Sequence, residues 1–138
     1  MNISLKGKRA LIGGSSRGLG LAVAKQLAYS GASVTLMSRN ENKLKDIVYS
    51  LEKETNNNHS YLVVDFNNFN SFKKTISSFL KKNEIDILVN NTQGPKSGDI
   101  ESLLSKIIKM HLIYYLNLLY SQLYQPYRTW KKIIGEGY

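Results

Sequence analysis

Residues 9–40 read RALIGGSSRGLGLAVAKQLAYSGASVTLMSRN. A short apolar run ends in glycines, an apolar-periodic segment follows at once, and a second run rich in β-formers ends in Ser38-Arg39. Arg9 to Ile12 predicts a short buried strand, stopped by Gly13-Gly14. Gly18 to Ser30 predicts a helix with Leu19, Val23 and Leu27 on one stripe at i, i+4 and i+8. Gly31 closes it as a C-cap glycine, and Ala32 to Ser38 predicts a second strand. The stretch is a strand, a glycine turn, a helix and a strand in immediate succession.

The pattern continues outward. Asn40 predicts the cap of a second helix, in which Leu44, Ile47, Val48 and Leu51 form one apolar stripe. TNNNHS, residues 55–60, reads as a polar loop. Tyr61 to Asp65 predicts a third strand, Phe69, Phe72, Ile76, Phe79 and Leu80 mark a third helix, and Ile85 to Asn90 predicts a fourth strand. Strands written as continuous apolar runs are expected to be buried on both faces, which requires a parallel sheet with helices on each side. Right-handed crossovers then give an α/β fold, a Rossmann-type doubly wound sheet of four strands in the order 3-2-1-4.

The glycines of GGSSRGLG are spaced G-x-x-x-G-x-G at Gly14, Gly18 and Gly20. Gly14 lets the chain turn sharply off the strand. Gly18 leaves room for a pyrophosphate against bare backbone, and Gly20 lets the helix pack closely. The helix then starts with free N–H groups and the positive end of its dipole facing the ligand. The second strand ends in Ser38-Arg39, where an acidic residue would select NAD by bonding the ribose 2′-hydroxyl. An arginine instead pairs with a 2′-phosphate, and Arg17 inside the loop is a second partner for it. The expected cofactor is NADP(H).

Composition sets the outer limits. The chain has 138 residues, 42% hydrophobic and 21% charged, enough for one domain with a core. It has no cysteine, which excludes disulfide scaffolds and thiolate metal sites. His59 and His111 stand isolated, so neither a metal site nor a His-based dyad is expected. The start MNISLKGKRA lacks the long apolar core of a signal peptide, and Leu103 to Tyr124 is broken by Lys106, Lys109, His111 and Asn117. A membrane span is not expected, and the default location is cytoplasmic. The net charge of +9 is spread along the chain, with 14 Lys/Arg against 8 Asp/Glu in residues 1–100 and 5 against 2 in residues 101–138. That spread fits a solvated surface and a small-molecule dinucleotide partner better than a nucleic acid or a membrane.

Four motifs in order carry a resemblance: GGSSRGLG at 13–20, SR at 38–39, VVDF at 63–66 and VNNTQG at 89–94. On these the chain resembles a short-chain dehydrogenase/reductase of the 3-oxoacyl-carrier-protein-reductase-like kind over residues 3–100. Gly13 replaces the usual Thr of the first motif, and Thr92-Gln93-Gly94 replaces Ala-Gly of the fourth. The resemblance implies an oxidoreductase that moves hydride between nicotinamide and a carbonyl or alcohol. Its cofactor-binding residues would be Gly14, Ser15, Ser16, Arg17, Gly18, Leu19 and Gly20 in the loop, Ser38 and Arg39, and then Asp65, Phe66, Asn90 and Asn91. Asp65 would accept from the adenine amino group with Phe66 beside it. Asn90 would line the cofactor and tie the fourth strand to its neighbours.

The same resemblance implies a Ser and a Tyr-x-x-x-Lys on elements that come after a fifth strand. Here 48 residues follow Asn90. Tyr49/Lys53 and Tyr127/Lys131 have the spacing but not the setting and read as coincidence, so no catalytic residue is assigned. Residues 1–100 are expected to form the NADP-binding half-domain and residues 101–138 a helical tail. The tail ends QPYRTWKKIIGEGY, and a shifted reading frame permits ALPYMEKNNWGRV across it, text like the family's approach to a fifth strand. One base lost near codons 100–112 would produce the observed tail. The expectation is therefore a frameshifted, truncated and inactive reading of a longer reductase gene. The alternative is a natural short chain, a non-catalytic dinucleotide-binding module or partner subunit, whose C-terminal helix covers the sheet edge or pairs with a partner. A fourth strand without its fifth has an open edge, which invites a homo-oligomer or aggregation.

Overall fold

The computed structural model describes residues 3–91. Seven elements alternate: β1 (Arg9–Gly13), α1 (Gly18–Tyr29), β2 (Ser33–Ser38), α2 (Glu41–Thr55), β3 (Ser60–Val63), α3 (Phe69–Leu80) and β4 (Ile87–Val89). The four strands form one parallel sheet in the order β3-β2-β1-β4. Ile12 stands between Leu36 and Val89, so β1 and β2 are the central strands. Both are almost wholly buried.

Ala10, Ile12, Val34 and Leu36 face α1 and α2 and share one core with Ala24, Ala28, Leu44, Val48 and Leu51. None of the described side chains of α3 belongs to that cluster. Right-handed crossovers explain this: two steps in one direction set α1 and α2 on one face, and the return from β3 to β4 puts α3 on the other. The predicted stripe of α2 is the buried one, with Leu44, Val48 and Leu51 at its centre. Asn40 caps α2 as expected, its side chain accepting from the N–H of Lys43 at 3.0 Å.

Of the stripe expected on α1, Leu27 is partly buried and packs against the core, while the other two members do not. Leu19 is 78% exposed and Val23 is exposed as well. The buried face is Gly20, Ala24 and Ala28, which share the same i, i+4, i+8 spacing one position on. Small side chains let the helix axis come close to the sheet, and that closeness leaves no room for leucine or valine there. The expectation of burial on both faces also fails for the outer strands, since β3 and β4 are only partly buried. β3 is an edge strand, and among the described residues β4 pairs with β1 alone.

The base of the β1–β4 pair is tied by charge. Asp86 accepts from the Arg9 N–H at 2.8 Å and from Lys8 Nζ at 3.1 Å, while its own N–H donates to the Arg9 carbonyl at 2.9 Å. Arg9 also pairs with Glu84 at 2.8 Å. The Arg9 N–H, followed by the Lys8 ammonium, holds the Asp86 carboxyl below its usual range. This tie fixes the register of β4 and so the height at which Asn90 and Asn91 emerge.

His59, placed by sequence in a polar loop, is buried. Its Nδ1 accepts from the Val34 N–H at 3.2 Å, and its Nε2 meets Thr55 Oγ1 at 2.8 Å. Thr55 Oγ1 donates to the Leu51 carbonyl, so Nε2 carries the proton and Nδ1 is bare. A second proton would remove the acceptor for Val34, and burial lowers the imidazole pKa below its ordinary 6.5. The unfolded chain therefore takes up that proton first. His59 favours the fold above about pH 6.5, and stability falls as pH drops from there toward the lower native value. The melting temperature is expected to decline between pH 7.5 and pH 5.5. His59→Asn, whose Oδ1 can accept from Val34, should lose this step, as thermal denaturation at a series of pH values would show.

Candidate functional site

All four strands end on the same side of the sheet, and the residues following them meet there. Between β1 and β4 the chain order reverses, which is the crevice where open parallel sheets bind ligands. Gly14 leaves β1 with φ +58°, a backbone conformation suited to glycine. A Cβ on it would stand 2.1 Å from the Asn91 carbonyl oxygen. Gly20, one turn into α1, is as tightly held: a Cβ there would lie 2.5 Å from the Gly14 carbonyl oxygen and 2.6 Å from Asn91 Nδ2. Gly20 thus serves the contact of α1 with the turn after β1 and with the end of β4.

Gly18 differs. Its φ is also +58°, but a Cβ built on it meets none of the described residues within 4 Å. The space over this glycine is open at the point where α1 begins. Arg17 occupies the N-cap position in an extended conformation, and its side chain makes no capping bond. No acidic residue stands in the first turn of α1. The helix therefore presents free N–H groups and an uncompensated positive dipole end to that space.

Ser15 is fully buried and does not touch the space. Its hydroxyl donates to the Ile12 carbonyl at 3.0 Å and accepts from the Met37 N–H at 2.9 Å, while its own N–H donates to the Met37 carbonyl at 3.2 Å. Ser15 stitches the loop to the end of β2 and is a brace for the site. At that end Ser38 is buried, its carbonyl accepts from the Val64 N–H at 2.9 Å, and its hydroxyl accepts from the Asn40 N–H at 3.3 Å. Arg39 projects from this fixed point and is exposed.

A cleft of about 490 Å³ results, lined by Gly14, Ser16, Arg17, Gly18, Ser38, Arg39, Asn40, Lys43, Phe66 and Asn91. The volume suits a nucleotide-sized ligand. Among the described residues the lining holds three cationic side chains and no carboxylate. Among the described residues no acidic side chain pairs with Arg17, Arg39 or Lys43. Phe66 presents an aromatic wall and packs against Phe72 with ring centroids 5.4 Å apart.

Most of the residues expected from sequence converge here, and some do not. Leu19 and Gly20 lie on α1 outside the lining, the first exposed and the second buried. Asp65 is exposed beside Phe66, and its carboxylate accepts from the Asn67 N–H at 3.0 Å, which makes it the first residue of a turn. Asn90 is exposed and outside the lining, and Asn91 is the residue that reaches the loop, through an amide 3.5 Å from the Gly14 carbonyl. The tie expected of Asn90 thus falls one residue later, where the chain has left β4. Asn40 and Lys43 line the cleft without having been singled out for it. The signal lay in the helix cap, because side chains in a first turn lean toward the helix N-terminus.

The Tyr49/Lys53 pair sits on α2, with Lys53 Nζ 4.2 Å from the centre of the Tyr49 ring. The ammonium covers the ring face, which is a surface packing arrangement. Tyr127/Lys131, Thr92-Gln93-Gly94, His111 and the tail from 101 to 138 lie outside the described residues. Among the described residues no cluster of three or more His, Asp or Glu is placed to hold a metal ion. None of their helices is long and apolar enough to cross a membrane.

Comparison with known proteins matches residues 8–118 to the family model of the short chain dehydrogenases. The 3-oxoacyl-(acyl-carrier-protein) reductase FabG of Chlamydia pneumoniae is 37% identical over 92 residues, covering 66% of this chain and 37% of that protein. Among solved structures, L-sorbose reductase from Gluconobacter frateurii, complexed with NADPH and L-sorbose, superposes with a TM-score of 0.74 at 26% identity. The match covers 88% of this chain and 48% of that one. The 3-oxoacyl-(acyl-carrier-protein) reductase of Agrobacterium tumefaciens C58, with NADP bound, gives 0.66 at 25% identity, covering 87% and 46%. The chain thus spans well under half the length of the curated relative and about half that of the structural ones.

Proposed function

This chain belongs to the short-chain dehydrogenase family, and from that premise we propose that it binds NADP(H) in the cleft at the strand ends, as the cofactor-binding part of an oxidoreductase. When bound, the cofactor supplies the hydride exchanged with a carbonyl or alcohol substrate. The observation that carries the reading is a cleft wall holding two guanidiniums, from Arg17 and Arg39, with no carboxylate among its described lining residues. An NAD site places an acid at the end of β2 to take the ribose hydroxyls. Here that place is held by Arg39, whose planar fork matches a phosphate.

The other residues fit the rest of a dinucleotide. The open space over Gly18 and the free N–H groups at the start of α1 suit a pyrophosphate. Phe66 offers a flat wall to an adenine, with the Asp65 carboxylate beside it as an acceptor. Asn91 and Ser15 hold the loop in the shape that leaves Gly18 bare. Titration calorimetry on the full 138-residue chain should show NADPH binding at least about tenfold tighter than NADH, a difference of 1.4 kcal/mol. Equal affinity, or a preference for NADH, would refute the reading.

A non-catalytic dinucleotide-binding module, or a partner subunit, is the second reading. It is favoured by the surface packing of Tyr49 and Lys53, the one Tyr-x-x-x-Lys spacing among the described residues. It requires NADPH to bind without being oxidised in the presence of simple ketones or acyl thioesters. NADPH oxidation that disappears in Tyr127→Phe would reject it and give the tail a catalytic part.

A further inference from the structure

We propose that Lys43 is a specificity-determining residue, its ammonium completing with Arg17 and Arg39 a three-cation seat for the ribose 2′-phosphate. The proposal rests on the NADP(H) reading above and extends it to a residue on α2. Lys43 is the third residue after the cap Asn40, whose side-chain oxygen accepts its N–H at 3.0 Å. Helical side chains tilt toward the N-terminus of their helix. The four-carbon stem of Lys43 therefore runs back toward the end of β2, and Lys43 lines the same cleft as Ser38 and Arg39.

The neighbouring charges leave it available. Glu41, the one acid in the first turn of α2, is held by Lys45 at 2.8 Å and by the Tyr61 hydroxyl at 3.4 Å. Lys45 is thereby neutralised, and Glu41 is engaged away from the cleft lining, to which it does not belong. Lys43 has no acidic partner among the described residues. Three cations around one cleft repel each other, and a phosphate dianion relieves that repulsion. The two arginines supply directional forks, and the lysine supplies a point charge that follows the phosphate.

The test compares the full chain with Lys43→Gln and Lys43→Arg by calorimetric titration with NADPH, NADH, 2′,5′-ADP and 3′,5′-ADP at two salt concentrations. Lys43→Gln is expected to weaken NADPH and 2′,5′-ADP by roughly five- to tenfold, to leave NADH nearly unchanged, and to flatten the salt dependence. Lys43→Arg should restore the affinity. Glutamine is favoured at this helix position, so unfolding midpoints should match and separate binding from folding. If the wild type prefers NADPH and Lys43→Gln binds it equally well, Lys43 is not part of the seat and the NADP(H) reading stands. If the wild type shows no preference for NADPH, both fall. If 3′,5′-ADP binds as tightly as 2′,5′-ADP and loses as much in Lys43→Gln, the seat takes any ribose phosphate and the 2′ assignment is overturned.

Discussion

Arg39→Asp is expected to lower NADPH affinity by about a hundredfold or more and to leave NADH bound as well as before or better. The loss has two parts. A charge-assisted contact to phosphate contributes about 1.5–3 kcal/mol, and all of it goes with the guanidinium. The new carboxylate then faces a phosphate across a cleft, and that repulsion adds to the loss. Every 1.4 kcal/mol is a factor of ten, so a total near 3 kcal/mol gives the hundredfold. NADH carries hydroxyls where NADPH carries the phosphate, and an acid at the end of β2 can accept from them. The fold should be indifferent, because Arg39 is exposed and makes no ion pair among the described residues. Paired titrations with both dinucleotides decide the matter. A loss shared equally by NADPH and NADH would mean that Arg39 does not meet the 2′-phosphate.

The order of elements and the strand order were legible because each boundary is written in the chain. Glycines stop β1, Asn40 caps α2, and the apolar runs of β1 and β2 have no polar alternation to suggest an exposed face. The convergence of the strand ends follows from parallel topology alone, which is enough to bring Gly14, Gly18, Arg17 and Arg39 together. Details that depend on how closely two elements approach were not legible. On α1 the stripes Leu19-Val23-Leu27 and Gly20-Ala24-Ala28 have the same period, and hydrophobicity favours the first, of which only Leu27 packs against the core. The sheet selects the smaller side chains because the helix sits close to it. Ser15 reads as one more small polar loop residue until its two bonds to β1 and β2 are seen. Asn90 and Asn91 are chemically identical neighbours, and only the length of β4, which ends at Val89, decides which of them meets Gly14.

Gly20→Ala should be strongly damaging, through close packing alone. The added Cβ would stand 2.5 Å from the Gly14 carbonyl oxygen and 2.9 Å from its carbon, both backbone atoms at a turn. Neither can rotate away, so α1 must lift or the loop must shift. Overpacking of this kind costs about 1–3 kcal/mol, and a small domain has few to lose. A fall in melting temperature of roughly 10 °C or more is expected, at about 4–8 °C per kcal/mol. NADPH binding should fall with it, because the loop that shifts is the one that leaves space over Gly18. Gly18→Ala is the informative contrast. Its Cβ has open space, so its cost is confined to the left-handed backbone, about 1–2 kcal/mol, but the methyl group enters the place meant for the pyrophosphate. It should retain more stability than Gly20→Ala while losing binding. Removing the other obstacle by Gly20→Ala with Asn91→Ala should recover only part of the stability, since the Gly14 carbonyl remains in the way. If Gly20→Ala melts like the wild type, α1 does not press on the turn after β1, and the loop geometry on which the cofactor assignment stands would have to be rebuilt.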